Sequence, residues 1–272
     1  MLLLVFKGRL GNQMFQYATV RTLADQKGYR VHLTGANTEI CDYFNLAPGQ
    51  VTSHLWRKLL ARTHRQRHSF TPVYGSYKDC VNEKFDPSFF DIEDGTRICG
   101  WFQSGDYFAN NRENVLKWFT PRAHYEKRAA EIEAQWPVPV EKRCCLHVRT
   151  GDYLDLGWSL PTRYYEKALR QLPEDLFYII VTDGPEYAER EFSFLPRKQI
   201  LCSKASVVDM LLMARCRYVI TANSSFSYWG AWRNVLPNAV IIAPKYYLGW
   251  RAGDWTPDRI QVPGWNYIDV LD

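Results

Sequence analysis

Apolar and polar positions alternate in blocks along the chain, with short apolar runs separated by stretches of helical spacing. Leu2 to Phe6 predicts a strand, followed by the glycine-bounded turn Gly8-Arg9-Leu10-Gly11-Asn12-Gln13. A helix then runs to about Lys27, where Gly28 suits a helix C-terminus, and Tyr29 to Leu33 reads as a second strand. Strand, tight turn, helix and strand open a parallel α/β sheet. Residues 36 to 100 mix polarities without a clean period and predict no defined elements. Pro121 to Gln135 turns helical and gives way to Trp136-Pro137-Val138-Pro139-Val140, a stiff segment in which two prolines disfavour helix. This candidate linker predicts a first domain over 1–138 and a second over 139–272.

Beyond it the alternation is regular. Strands are predicted at 144–148, 177–182, 199–202, 218–222 and 239–243, separated by helices at 162–172, 186–194, 207–215 and 225–235. That order describes an open, doubly wound sheet. The predicted fold class is therefore α/β, with two Rossmann-like domains facing each other and a ligand held in the cleft between them.

Composition narrows the class. A chain of 272 residues has a soft prior of about two domains. With 46% apolar and 23% charged residues it is neither disordered nor of low complexity. Its apolar runs, such as 177–181, fall far short of the ~20 residues of a membrane helix. Lys7-Gly8-Arg9 interrupts the apolar start too early for a signal-peptide core. These readings predict a soluble, cytoplasmic protein. Seven cysteines with no C-x-x-C pair argue for reduced thiols rather than a disulfide framework or structural zinc.

The net charge of +5 is concentrated in one place. The segment 54–68 holds five Arg or Lys and no acid, with Leu55, Trp56, Leu59 and Leu60 at helical spacing. Two readings stay open: a solvated helix face, or peripheral contact with an anionic surface, either the inner membrane leaflet or a lipid-diphosphate-linked acceptor. Nucleic acid is the weakest reading, because no other part of the chain is basic at that density.

Three polar clusters lie at predicted strand ends, where open α/β sheets bind ligands. The turn at 8–13 suits a phosphate or a close-approaching ligand, or is a plain tight turn; it matches neither G-x-G-x-x-G nor a Walker loop. In His147-Val148-Arg149-Thr150-Gly151-Asp152-Tyr153, Arg149 can fork onto a phosphate, or His147 and Arg149 can be tied structurally to Asp152. In Ala222-Asn223-Ser224-Ser225-Phe226-Ser227, hydroxyls and amides can cradle a diphosphate, or Ser225 can simply cap the next helix. Asp183 and Asp209 complete the inventory, since a carboxylate can accept both N1–H and N2–H of guanine; Asp209 can equally cap its helix. No Asp-x-Asp occurs, so no metal clamp is expected and no metal ligands are assigned. Asn223-Ser224-Ser225 is formally a glycosylation sequon, but a glycan there would block the cradle.

Taken together, Gly-Arg-Leu-Gly-Asn-Gln-Met-Phe-Gln-Tyr-Ala at 8–18, His-Val-Arg-Thr-Gly-Asp-Tyr at 147–153 and Ala-Asn-Ser-Ser-Phe-Ser-Tyr-Trp-Gly-Ala-Trp at 222–232 resemble the α-1,2-fucosyltransferases of glycosyltransferase family 11. Asp209-Met-Leu-Leu-Met-Ala-Arg-Cys also fits that family. The resemblance implies a GT-B fold and transfer of fucose from GDP-fucose to the 2-hydroxyl of a terminal galactose, with inversion and without metal. GDP-fucose is then a co-substrate, and no separate cofactor is expected. It further implies that Arg149 neutralises the departing GDP, that His147 and Asp209 hold guanine, and that Ser224, Ser225 and Phe226 form the phosphate loop. Arg9 and Asn12 would approach the donor and the reacting centre. Two positions depart from the pattern: Thr150 stands where the family usually has a second arginine, and Arg9 where many members have glycine. The latter also looks like the protein O-fucosyltransferases and bears on the acceptor.

Displacement at an anomeric carbon needs a stabilised leaving group and a nucleophilic hydroxyl. Asp152 is the first candidate general base and Asp155 the second. Two competing classes are a nicotinamide-dependent oxidoreductase, opposed by the missing G-x-G-x-x-G, and a non-catalytic galactoside-binding protein using some of the 10 tryptophans.

Overall fold

The computed structural model describes residues 1–35, 37–46, 68–71 and 84–271. The basic segment 54–68, apart from the backbone of its last residue, lies outside the described residues, as does Cys80. The described chain forms two compact units. The first comprises Met1–Arg122 and Thr256–Gln261, the second Ala123–Trp255 and Val262–Asp272.

In the first unit, β1 (Leu2–Phe6), β2 (Val31–Gly35), β3 (His68–Phe70) and β4 (Thr96–Ile98) make a parallel sheet in the order β2-β1-β4-β3. The helix Leu10–Lys27 is buried through most of its length and ends where Gly28 turns left-handed at φ 68°, its N–H bonded to the Ala24 carbonyl. The strands β3 and β4 lie in the stretch from which sequence periodicity predicts nothing. At three residues each, they are too short to show a period.

The second unit holds six parallel strands: β5 (Arg143–Val148), β6 (Phe177–Thr182), β7 (Lys198–Leu201), β8 (Tyr218–Ile220), β9 (Val240–Pro244) and β10 (Asn266–Ile268). The five predicted strands are all present. The sixth, β10, is polar at its first residue and only partly buried, so it carries no apolar run. The near-continuous burial of β5 and β6 is what a parallel sheet covered on both faces requires. Their sequence order places β6 and β7 on one side of β5, and β8, β9 and β10 on the other. The order therefore reverses between β5 and β8, a topological switch point whose carboxyl ends are the standard ligand position.

Residues 123–138 group with the second unit, and the units divide at Arg122 rather than near 138. The cause is electrostatic and steric. Glu133, at the end of the helix Ala123–Glu133, bonds Arg143 at 2.5 Å and Arg215 at 2.8 Å, and Arg215 also pairs with Glu126. The two prolines thus join a docked helix to β5 instead of separating two domains. Trp136 is buried beneath the Arg143 guanidinium, 5.1 Å from its ring centroid.

Buried tyrosines brace the switch point from below. Tyr164 and Tyr165, neighbours on the helix Thr162–Leu169, donate to the Thr221 carbonyl at 2.8 Å and the His147 carbonyl at 2.9 Å. Two adjacent hydroxyls thereby fix the ends of β8 and β5.

Candidate active site

The parallel register pairs Val148 with Thr182, so Arg149 and Asp183 leave the sheet side by side. The Arg149 guanidinium pairs through Nη1 with Asp183 and through Nη2 with Asp152, and it lies over the Tyr153 ring at 5.2 Å. Asp183 is the hub. Its Oδ1 accepts the Thr150 N–H at 2.8 Å and the Thr150 hydroxyl at 2.9 Å. Burial alone would push this carboxyl up, but the Thr150 N–H, the Arg149 charge and the Thr150 hydroxyl outweigh it and hold the group below the ordinary carboxylate range. Thr150 therefore anchors Asp183.

Two glycines make that packing possible. A Cβ on Gly184 would stand 2.4 Å from the Thr150 hydroxyl oxygen, and one on Gly151, at φ 36°, would stand 2.8 Å from Asp183 Oδ2. Neither Asp183 nor Gly184 belongs to a motif recognised in the sequence. Their signal was positional, at the end of an apolar strand parallel to β5.

On the other side of the switch point, Ser224 caps the helix Ser225–Trp232, its Oγ accepting the Phe226 N–H at 3.3 Å. The expected cap was Ser225, which instead opens the helix and is only partly buried. Ser227 is fully buried and donates to the carbonyls of Ala222 and Ser224, so its hydroxyl serves the turn itself. Asn223 is also fully buried, donating to the Trp158 carbonyl at 2.9 Å, which leaves the sequon closed to glycosylation in the folded protein.

The two sides meet at His147, whose ring lies 5.1 Å from that of Phe226. Burial, opposed by Asp183 and aided by Arg149, pulls the His147 pKa down to about 3, so the imidazole is neutral at working pH. Asp209, 5% exposed, uses Oδ2 to accept the Ser203 N–H at 3.0 Å, which ties down the loop before its helix. Burial pushes its pKa up, against the two Ser203 hydrogen bonds. His147 Nδ1, Asp209 Oδ1 and Asn223 Oδ1 are buried without a hydrogen-bond partner among the described residues.

The first unit presents its own cluster. Gly8, at φ 70°, leaves no room for a Cβ, which would meet Asn12 Nδ2 at 2.4 Å and Trp101 at 2.9 Å. Gln103 donates to Asn12 Oδ1 at 2.6 Å, while Arg9 is exposed. The remaining motif residues brace the turn: Gln13 bonds the Gly8 carbonyl and the Ile40 N–H, and Gln16 bonds both the N–H and the carbonyl of Lys7. The anion at this helix N-terminus is the protein's own, because Glu39 accepts the Leu10 N–H at 2.9 Å. That contact takes up the Leu10 N–H and leaves Arg9 as the exposed side chain of the turn.

Among the described residues, no group of three or more His, Cys, Asp or Glu side chains is placed to hold a metal ion, and no helix is long and apolar enough to cross a membrane.

Comparison with known proteins fits this arrangement. The chain is 24% identical to the O-antigen biosynthesis glycosyltransferase WbnK of Escherichia coli, over 95% of this chain and 97% of that protein. It is 26% identical to an alpha-1,2-colitosyltransferase of Escherichia coli, covering 87% and 89% of the two chains. It is also 26% identical to galactoside alpha-(1,2)-fucosyltransferase 1 of Alouatta caraya, over 83% of this chain and 63% of that protein. Among solved structures, the fold is similar to POFUT1 in complex with GDP, with a TM-score of 0.58 at 11% identity over 89% and 97% of the chains. It is likewise similar to the NodZ alpha-1,6-fucosyltransferase soaked with GDP-fucose, with a TM-score of 0.56 at 14% identity over 85% and 91%. The architecture is the α/β, GT-B type of such glycosyltransferases. The sequence profile of glycosyl transferase family 11 matches residues 2–269, and the chain belongs to that family.

Proposed function

We propose that this glycosyltransferase moves fucose from GDP-fucose to the 2-hydroxyl of a terminal galactose in a glycan, with inversion and without a metal ion. The observation that carries the reading is the convergence at one switch point of a forked cation, Arg149, and a capped helix N-terminus, Ser224–Phe226, joined by the His147–Phe226 contact. A cation and oriented amides are what a departing diphosphate needs where no metal neutralises it. Neutral His147 and the unpaired oxygen of Asp209 supply the polar edges for guanine. Ser224, Ser225 and Phe226 form the phosphate loop. Arg149 meets the charge that develops on the leaving group, and losing such a donor typically lowers the rate by ~10²–10³. Asp152 is assigned as the base for the acceptor hydroxyl. Arg9 and Asn12 are assigned to the donor and the reacting centre.

Relatives that carry α-1,2 linkages in their names support the linkage. A second donor sugar, colitose, is favoured by the name of one relative and would use the same nucleotide contacts. Incubation with GDP-fucose and a panel of galactosides, with the product linkage read by NMR, tests the reading. An α-1,2-fucosylated galactoside supports it; GDP release with another linkage, or galactoside binding without GDP release, contradicts it.

A further inference from the structure

The two carboxylates on Arg149 are not equivalent, and the difference assigns them separate roles. Asp183 is held from several directions. Its Oδ1 takes both Thr150 bonds and its Oδ2 takes Arg149 Nη1, while Gly151 and Gly184 leave no slack around the carboxylate and the Thr150 hydroxyl. Its side chain is 30% exposed. Asp152 stands in the first turn of the five-residue helix Gly151–Asp155, with its side chain 53% exposed and Arg149 Nη2 its one side-chain hydrogen-bond partner among the described residues.

Resting on the donor reading above, we infer that Asp183 is a positioning residue that permanently holds Arg149, and that Asp152 is an exchangeable counter-ion whose place the donor's diphosphate takes. With Nη1 fixed by Asp183, departure of Asp152 frees the edge formed by Nε and Nη2, a fork that fits two phosphate oxygens. The exchange swaps one anion for another on the same cation, so the guanidinium is never left without a partner. The released Asp152 carboxylate becomes available to the acceptor hydroxyl only after the donor has bound. Donor binding therefore precedes activation of the acceptor.

The two aspartates should shift GDP binding in opposite directions. Calorimetric titration of GDP into full-length Asp152→Asn, Asp183→Asn and wild-type protein reads both effects, with thermal unfolding of each variant as the check on folding. Removing a competing exposed ion pair should tighten GDP about two- to fivefold in Asp152→Asn. Losing the anchor should weaken GDP about tenfold in Asp183→Asn. Thr150→Val, which keeps the N–H bond to Asp183 and removes the hydroxyl bond, should weaken GDP by a smaller factor; it carries the test if Asp183→Asn does not fold. Shifts of the same sign in the two aspartate variants, or unchanged affinity in both Asp183→Asn and Thr150→Val, would overturn the division of roles while leaving the donor assignment intact. Failure of the wild-type protein to bind GDP overturns the donor reading itself.

Discussion

The rings of His147 and Phe226 stand 5.1 Å apart and 37° from parallel. One is the last residue but one of β5, and the other lies in the first turn of the helix after β8, so this contact closes the switch point.

Burial of this imidazole makes stability depend on pH in a defined window. Its pKa is about 3 in the fold, against about 6.5 for an ordinary imidazole. Above pH 6.5 both states carry neutral histidine and no dependence arises. As pH falls from 6.5 towards 3, the unfolded chain takes up a proton that the folded one refuses. Stability is lost at a rate approaching about 1.4 kcal/mol per pH unit. Denaturant unfolding of wild-type and His147→Phe proteins across pH 3–8 should show the wild type losing ground to the variant within that window. A constant difference across the range would show that the imidazole is not excluded from protonation.

Ser224 and Ser225 should separate structure from binding. Ser224→Ala removes the cap on Phe226 and should cost about 1 kcal/mol of stability. Ser225→Ala should stay within about 0.5 kcal/mol of wild type and yet weaken GDP. Paired melting curves and GDP titrations check both. Equal stability losses in the two variants would return the cap to Ser225.

Gly184→Ala forces a Cβ to 2.4 Å from the Thr150 hydroxyl oxygen and should destabilise the protein by about 1–3 kcal/mol. Combined with Thr150→Ala, which removes that oxygen, it should recover part of the loss. The double variant would then be more stable than the sum of the single effects implies. Strict additivity would place the strain elsewhere.

Much of the second unit was legible from its sequence because parallel strands buried on both faces read as apolar runs. The Cys144–Val148 and 177–182 runs are of this kind. β10 escaped because Asn266 is exposed and the strand is three residues long. The prolines at 137 and 139 misled because stiffness looks the same in a linker and in a brace; only the pairing of Glu133 with Arg143 and Arg215 tells them apart. In the site, Arg149 and the serine cluster were visible as polar residues after apolar strands. The role of Asp183 was not, since it rests on the Val148–Thr182 register, a pairing between residues that no local pattern links. The choice between Ser224 and Ser225 as cap depends on one residue of helix boundary, finer than periodicity resolves.

The account rests on Arg149 serving as the diphosphate's cation, and GDP titration by calorimetry with a chelator present tests this most directly. Wild-type protein is predicted to bind GDP with chelator present, and Arg149→Ala, still unfolding cooperatively, to bind at least about tenfold more weakly. Undiminished affinity in Arg149→Ala, or wild-type binding that vanishes with the chelator, would contradict it.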